Sequence, residues 1–416
     1  MVVIAHAIAR CASAVTLDFF SAVCKATGGG TGKKRVTTVY ISPVTMSNHF
    51  TKFSDATESI RIVPHLPLKE RHAVIPFFLP FAGCPHRCLF CDQDKQTGRT
   101  AKVDTLSFSE SLAKLFFNIS ARKRKEDTAS GNEPADLGFY GGTFTLLPVE
   151  RQMACLRLAA ACKARGLVNR VRCSTRPDAL DPAHLERLGQ AGLDRVEVGV
   201  QSFADGSLAA SRRGYTGEQA LIGCEAVKAA GLELGIQLLP GMPGSTPESF
   251  LADVATSLAL GPACLRFYPC LVIRDTPLAE LWRQGRYAPW ETDCAVQTLG
   301  RGLAAAWRAG IPVIRLSLAP EPALDAAVLA GPRHPALGAI IQGEALFTTL
   351  AEHIHSVGRA PDVVMLPKRC QGFFFGHQGT LRPRWKSLGV DPARVIWTAE
   401  KGTLVWNCSN SGNEGG

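Results

Sequence analysis

Three cysteines fall within eight positions, Cys84, Cys88 and Cys91, in the run PFAGCPHRCLFCDQ directly behind the apolar stretch VIPFFLPF. Thiolates are soft donors, and three on one loop can hold three corners of a 4Fe-4S cube, leaving the fourth iron without a protein ligand. An open iron suits a reactive cluster, whereas an electron-transfer cluster normally has four protein ligands. The spacing CxxxCxxC lets one irregular loop fold around a cube edge, and Gly83 permits a tight turn just before it. Two other readings stay open on these residues alone. One is a structural zinc site with His86 or a distant residue as fourth donor, although no second CxxC pair is present. The other is three unrelated buried thiols, which their density in a Gly- and Pro-containing loop disfavours.

Such a loop needs a scaffold, and from Val74 onward the chain repeats a short β-rich run, a loop and an amphipathic segment. Strands are expected at 74–81, 136–142, 169–175, 194–202, 232–239 and 263–273. Helices are expected between them, in PVERQMACLRLAAACKARG, DPAHLERLGQAG, GEQALIGCEAVKAAG and TPESFLADVATSLALG, and after the last strand in ETDCAVQTLGRGLAAAWRAG. Several open with Asp, Thr or Glu near a Pro, and Gly166, Gly192, Gly231, Gly261 and Gly310 stand where left-handed caps would end helices. Six βα units in series predict parallel strands covered on both faces and therefore apolar throughout. The fold class is α/β, a partial (βα)6 TIM-like barrel with a small C-terminal α/β appendage; a doubly wound open sheet is the competitor. The charged run RKRKEDTASGNEP at 122–134 reads as a surface loop.

The chain of 416 residues, 20% charged and 46% apolar, has the balance of a globular enzyme and lacks an apolar stretch long enough for a membrane span. Its net charge of +10 is spread out, so charge alone is weak support for a polyanionic partner. Fourteen cysteines in a chain of this size suit a reducing cytoplasm better than a disulfide scaffold. Cys155, Cys162, Cys173, Cys224, Cys264 and Cys294 lie in apolar patterns and are expected to be structural. Residues 1–70 read as a poorly ordered or spurious extension, 71–320 as the barrel, and 331–416 as a small capping domain.

The CxxxCxxC loop at the end of a first strand, with Phe90 just before the third cysteine, resembles the radical S-adenosylmethionine (SAM) superfamily. In that family the open iron binds SAM's methionyl amino and carboxylate groups, and an electron from the reduced cluster releases a 5'-deoxyadenosyl radical that abstracts hydrogen from substrate. The resemblance implies SAM contacts from Gly141, Gly142 and Thr143 in FYGGTFT, from Ser174 and Arg176 in CSTRPD, from Gln201 in VEVGVQSF, from Arg213 in ASRRGYT and from Gln237 in LGIQLLPGMPG. Taken alone, the glycine pair would be an ordinary turn, and Thr143 with Phe144 replaces the acidic form common in the family. Arg176 equally suits a loop-capping role, and Arg212 looks solvated.

The ordered set of motifs across about residues 74–318 resembles the radical SAM core of the Elongator catalytic subunit and its bacterial relatives. Coproporphyrinogen oxidases carry another cysteine two residues after the third, where this chain has Gln93. Only some 85 residues follow Gly331, so the acetyltransferase domain of the Elongator subunit is not expected. The tail LPKRCQGFFFGHQGTLRPRWKSLG mixes Lys368, Arg369, Arg382, Arg384 and Lys386 with aromatics, as an RNA-facing surface or as a cap on the open barrel side. The resemblance implies a 4Fe-4S cluster and SAM as cofactors, an electron donor such as flavodoxin or ferredoxin, and tRNA as a candidate substrate. A binding module with a structural cluster or zinc, and an enzyme acting on a small metabolite as coproporphyrinogen oxidases do, are the alternatives.

Overall fold

The structure is a computed structural model describing residues 57–60, 73–85, 87–97, 107–126, 134–318, 321–399 and 403–407. Of the expected N-terminal extension, only a strand at Thr57–Ile60 falls within these residues. Two compact units divide the chain, residues 61–404 and residues 1–60 with 405–416, and all that follows concerns the first.

Seven strands pair in chain order, all parallel: β1 Val74–Phe78, β2 Ala135–Tyr140, β3 Val168–Thr175, β4 Arg195–Gln201, β5 Glu233–Leu238, β6 Cys264–Phe267 and β7 Val313–Arg315. They form a curled half-barrel. The expected count of six misses β7, whose three residues behind Pro312 are too short to show a period and are fixed by pairing with β6. The expected strand at 263–273 stops at Phe267; Val272–Ile273 instead pairs antiparallel with Val328–Ala330.

The strands are not apolar throughout, as parallel pairing alone would suggest. Successive side chains alternate faces, and on one face Arg172, Ser174, Glu197, Gln201, Gln237 and Arg266 replace aliphatic residues. Between them, Val171, Cys173, Val196, Val198, Leu234 and Ile236 are buried on the other face. A curled sheet explains the difference, because its concave side encloses a cavity instead of packing on helices.

Helices α1 Gln93–Thr97, α2 Phe108–Glu126, α3 Val149–Ala164, α4 Pro182–Gln190, α5 Gly217–Ala229, α6 Pro247–Ala259 and α7 Thr292–Arg308 connect or follow the strands. Their ends match the signals in the sequence. The Asp181 carboxylate accepts from the His184 amide, and Thr216 and Thr246 each form a reciprocal capping box. Gly166, Gly192, Gly231, Gly261 and Gly310 all have left-handed φ. The loop expected from residue 122 begins later, since α2 runs to Glu126. Ser107 and Glu110 bond reciprocally at the start of α2, and basic residues are well placed at a helix C-terminus.

Beyond the barrel, α8 Leu337–Val357 packs along α7, and Val363–Pro367 pairs parallel with Ile396–Thr398. The aromatics of this segment mainly build a core. The Phe374 and Trp385 rings stack at 4.6 Å with both side chains buried, and the Trp385 indole N–H donates to the Phe374 carbonyl at 2.8 Å. Arg384 is held by Glu344 of α8, and Arg382 lies over the Phe375 ring. Phe374 and Trp385 are therefore core side chains and not a stacking platform for bases.

Two contacts position the site. The loop 79–84 lies against the turn after β2: the Leu79 amide donates to the Tyr140 carbonyl at 2.7 Å, and the Thr143 amide donates to the Ala82 carbonyl at 2.8 Å. A Cβ on Gly142 would stand 1.9 Å from the Ala82 oxygen, and one on Gly83 would stand 2.3 Å from the Thr143 oxygen. On the far side of the barrel, Asp253 of α6 accepts from Ser202 Oγ at 2.6 Å and from the Phe203 amide at 2.8 Å, fixing the chain just after Gln201.

Gly142→Ala is expected to push the loop 79–84 off its seat. Unfolding in denaturant should show a loss of about 2 kcal/mol or more, with helix content retained in the folded state. Burial raises the Asp253 carboxyl to about 6, outweighing the hydrogen bonds from Ser202 and Phe203 that favour its ionised form. A folded pKa above the unfolded value of about 4 means the folded state holds the extra proton between pH 4 and 6, so stability falls as pH rises through that window, by up to roughly 3 kcal/mol. Asp253→Asn should remove this decline relative to the parent when unfolding free energies are compared at pH 4 and pH 6.5.

Candidate functional site

The concave side of the sheet encloses a cavity of about 1150 Å³. Cys84, Cys88 and Cys91 line it, as do Gly141, Gly142, Thr143, Ser174, Arg176, Gln201, Arg213 and Gln237. Every residue expected from the sequence to serve the site is thus brought to one place, at the C-terminal ends of the parallel strands, where βα folds collect chemistry on a single rim.

The cysteine loop is tightly organised. Phe81 takes a left-handed φ of 55°, and its amide donates to the Gln93 side-chain oxygen across the loop. The Cys84 amide donates to the Phe81 carbonyl at 3.1 Å, and the Cys91 amide to the Cys88 carbonyl at 3.2 Å. Gln93, noted in the sequence only for what it replaces, closes the loop. Thr143 is fully buried with its hydroxyl 3.5 Å from Cys84 Sγ, so the turn after β2 serves a cysteine directly.

Two guanidinium groups approach Cys88. Arg213 donates to Cys88 Sγ at 2.7 Å through Nη1, to the Gly199 carbonyl at 2.9 Å through Nη2, and to the Tyr215 hydroxyl at 2.9 Å through Nε. Arg176 Nη1 lies 4.0 Å from the same sulfur. Its remaining nitrogens are committed to Asp178, at 2.9 and 2.8 Å, and to the Arg213 carbonyl at 2.5 Å. Arg176 thus fastens its own loop, as the loop-capping reading expects, and also lines the cavity. Gln237 donates to Ser174 Oγ at 3.3 Å, joining two of the expected SAM contacts. Gln201 has φ of 66°, a conformation that costs a non-glycine residue about 1 kcal/mol or more and concentrates at functional sites.

A second layer was not legible as a site. Arg172 on β3 pairs with Asp136 of β2 and, at 3.2 Å, with Glu197 of β4. Arg266 on β6 pairs with Glu197 at 2.8 Å and donates to the hydroxyls of Tyr140 at 3.1 Å and Tyr268 at 2.9 Å. Four of the strands are thus cross-linked beside the cavity. Buried charge is tolerated because each ion has a partner, and loss of one partner would be strongly destabilising. The signal available beforehand was Arg266 and Tyr268 at spacing two in RFYP, which places both on one face of the strand.

The donor set fits an iron-sulfur cluster. Burial, with Cys88 and Cys84 adding to it, pushes the Cys91 thiol up to about 12. Three thiols this close oppose one another's ionisation, and a bound cationic group would relieve the opposition. Among the described residues, no three His, Cys, Asp or Glu side chains surround one point closely enough for a single metal ion. His86, the fourth donor considered for zinc, lies outside the described residues.

The cysteines expected to be structural are buried at Cys155, Cys162, Cys173, Cys224 and Cys264, with Cys294 partly exposed. Arg212 is exposed, as expected. No helix among the described residues is long and apolar enough to cross a membrane.

Comparison with known proteins gives the same assignment. The radical SAM superfamily profile matches residues 78–256, and that of the Radical_SAM C-terminal domain matches residues 262–345. The tRNA uridine(34) acetyltransferase of Methanocaldococcus infernus is 29% identical over 257 residues, covering 55% of this chain and 48% of the relative. Elongator complex protein 3 of Mus musculus is 31% identical over 138 residues, covering 32% of this chain and 25% of the relative. The chain spans about half the length, or less, of these curated relatives. The solved structure of Elp3 from M. infernus shares the fold, with a TM-score of 0.50 at 20% identity over 69% of this chain and 63% of that one. Members of the superfamily use a 4Fe-4S cluster and SAM. The chain belongs to the radical SAM superfamily, as an enzyme whose radical SAM core is homologous to that of Elongator complex protein 3 and the tRNA uridine(34) acetyltransferases.

Proposed function

We propose that this enzyme holds a 4Fe-4S cluster on Cys84, Cys88 and Cys91, cleaves SAM reductively, and acts on an RNA substrate, with tRNA the leading candidate. The observation that carries the reading is the convergence of the three thiols and all eight SAM-contact candidates on one cavity. When bound, the cluster and SAM together supply a 5'-deoxyadenosyl radical that removes a hydrogen atom from substrate.

The protein's share is binding, orientation and exclusion of water. The loop 79–84, seated on Gly142, sets the direction in which the thiols face. Backbone groups at Gly141 and Gly142, the Thr143 hydroxyl, and the Ser174–Gln237 pair present donors and acceptors around the space beside them. Gln201 adds an amide held in a fixed direction by the clamped loop after it. The domain reading also stands as a proposal: residues 71–320 form the catalytic barrel and residues 331–416 cap it.

Support for an anionic substrate comes from the cavity's lining, which among the described residues contains seven arginines and a single carboxylate, Glu321. Four of those arginines have polar partners described above. Arg315 and Arg369 are exposed and have no carboxylate partner among the described residues, which leaves their charge available to phosphate. The tRNA uridine(34) acetyltransferases among the relatives above favour the same class of substrate. Acetyl transfer itself is not carried over. The electron is assigned to a low-potential donor of the flavodoxin or ferredoxin class.

Anaerobic reconstitution should give about four irons per chain, and dithionite should then yield 5'-deoxyadenosine and methionine from SAM. Replacing all three cysteines by alanine should abolish both. Zinc uptake without iron uptake would overturn the cluster assignment. Binding of unmodified tRNA should weaken by about tenfold or more between 50 and 200 mM salt, and Arg315→Ala with Arg369→Ala should flatten that dependence. If tRNA binding is absent while SAM cleavage persists, the substrate is a small molecule of the kind coproporphyrinogen oxidases use.

A further inference from the structure

The contact between Arg213 and Cys88 goes beyond what the family resemblance implies for this arginine, namely a grip on SAM's carboxylate. Its guanidinium is enclosed, with the side chain only 5% exposed, and all three of its nitrogens are spoken for by Cys88 Sγ, the Gly199 carbonyl and the Tyr215 hydroxyl. Tyr215 is anchored in turn, its hydroxyl lying 2.9 Å from the Gly199 oxygen and 2.8 Å from the Val200 oxygen at the end of β4. The rings of Tyr215 and Phe90 flank the guanidinium at 5.0 and 5.9 Å. The Arg213 carbonyl also receives the Nη2 donor of Arg176, whose Nη1 approaches the same sulfur. Turning toward a ligand elsewhere in the cavity would break three hydrogen bonds in a buried setting, each lost partner leaving an unsatisfied group.

We propose that Arg213 sets the reduction potential of the cluster by donating a charge-assisted hydrogen bond to the Cys88 sulfur. The inference rests on the cluster reading above. Hydrogen bonds to cluster sulfurs and the net charge nearby are among the factors that fix iron-sulfur potentials. The step concerned is a one-electron reduction: an external low-potential donor is oxidised, the cluster is reduced, and no proton moves, because arginine stays protonated. The added electron raises negative charge at the cysteine sulfurs. A permanent cation and donor fixed beside one of them favours the reduced state over the oxidised one. Arg213 is therefore a tuning residue, with Tyr215 holding its direction.

The test is redox titration of the anaerobically reconstituted protein without SAM, followed by the spectrum of the reduced cluster, with SAM affinity measured separately. Arg213→Gln should make reduction about tenfold less favourable, a move of roughly 59 mV to more negative potential for one electron. Arg213→Lys, which keeps the charge, should recover most of the loss. Tyr215→Phe, which retains the ring and the guanidinium, should shift the potential in the same direction by a smaller factor and serves if Arg213→Gln does not take up iron. An unchanged potential in either variant, with SAM affinity falling instead, overturns the proposal and returns Arg213 to a carboxylate grip. Failure of the parent protein itself to hold iron would sink the cluster reading, a distinct result.

Discussion

The site depends on a backbone-to-backbone contact that no side chain can replace. The Ala82 carbonyl reaches the Thr143 amide across Gly142, in a gap too narrow for a methyl group. This contact joins the end of β1 to the end of β2 and holds the cysteine loop at the rim. The family resemblance implies SAM contacts at the glycine pair, which taken alone would be an ordinary turn. In the structure, the second glycine is already required by the loop, so its absence of a side chain has a cause within the protein. The first, at φ of 106° beside Leu79, turns the chain so that the second can meet the loop.

Curvature is the next constraint. A flat parallel sheet covered by helices on both faces would need aliphatic residues along each strand. Here one face of β3 to β6 carries Arg172, Ser174, Glu197, Gln237 and Arg266, which pair across strands, Arg172 and Arg266 with Glu197 and Gln237 with Ser174. Curling the sheet lets the outward face bury a conventional core while the inward face keeps polar groups near a cavity. Cross-links among Asp136, Arg172, Glu197 and Arg266 then act sideways, between neighbouring strands from β2 to β4 and across β5 from Glu197 to Arg266, adding to the ladder of main-chain bonds.

Much of this was legible in the residues. The alternation of strand and helix, the capping residues Asp181, Thr216 and Thr246, and the glycines that end helices all declare themselves locally, because each is a short-range preference of the backbone. The three cysteines were legible for a different reason: a spacing so dense has few other physical uses. What escaped notice depends on partners distant in the chain. β7 exists because β6 offers it an edge, and its own three residues say little. Gln93 takes the Phe81 amide, and Tyr215 joins Arg213 to the carbonyls of Gly199 and Val200, contacts that only folding brings about. Trp385 and Phe374 resembled surface aromatics in a basic run, and only their stacking against each other shows that they are core.

The distribution of arginines through the cavity has a consequence for traffic. Those nearest the sheet are neutralised by Glu197 and Asp136, so their field is dipolar and dies away over a few ångströms. Arg315 and Arg369 have no such counterweight among the described residues, and their field reaches outward about a Debye length into solvent. The positive field that extends from the cavity lining is therefore carried by exposed arginines and not by those locked against the sheet.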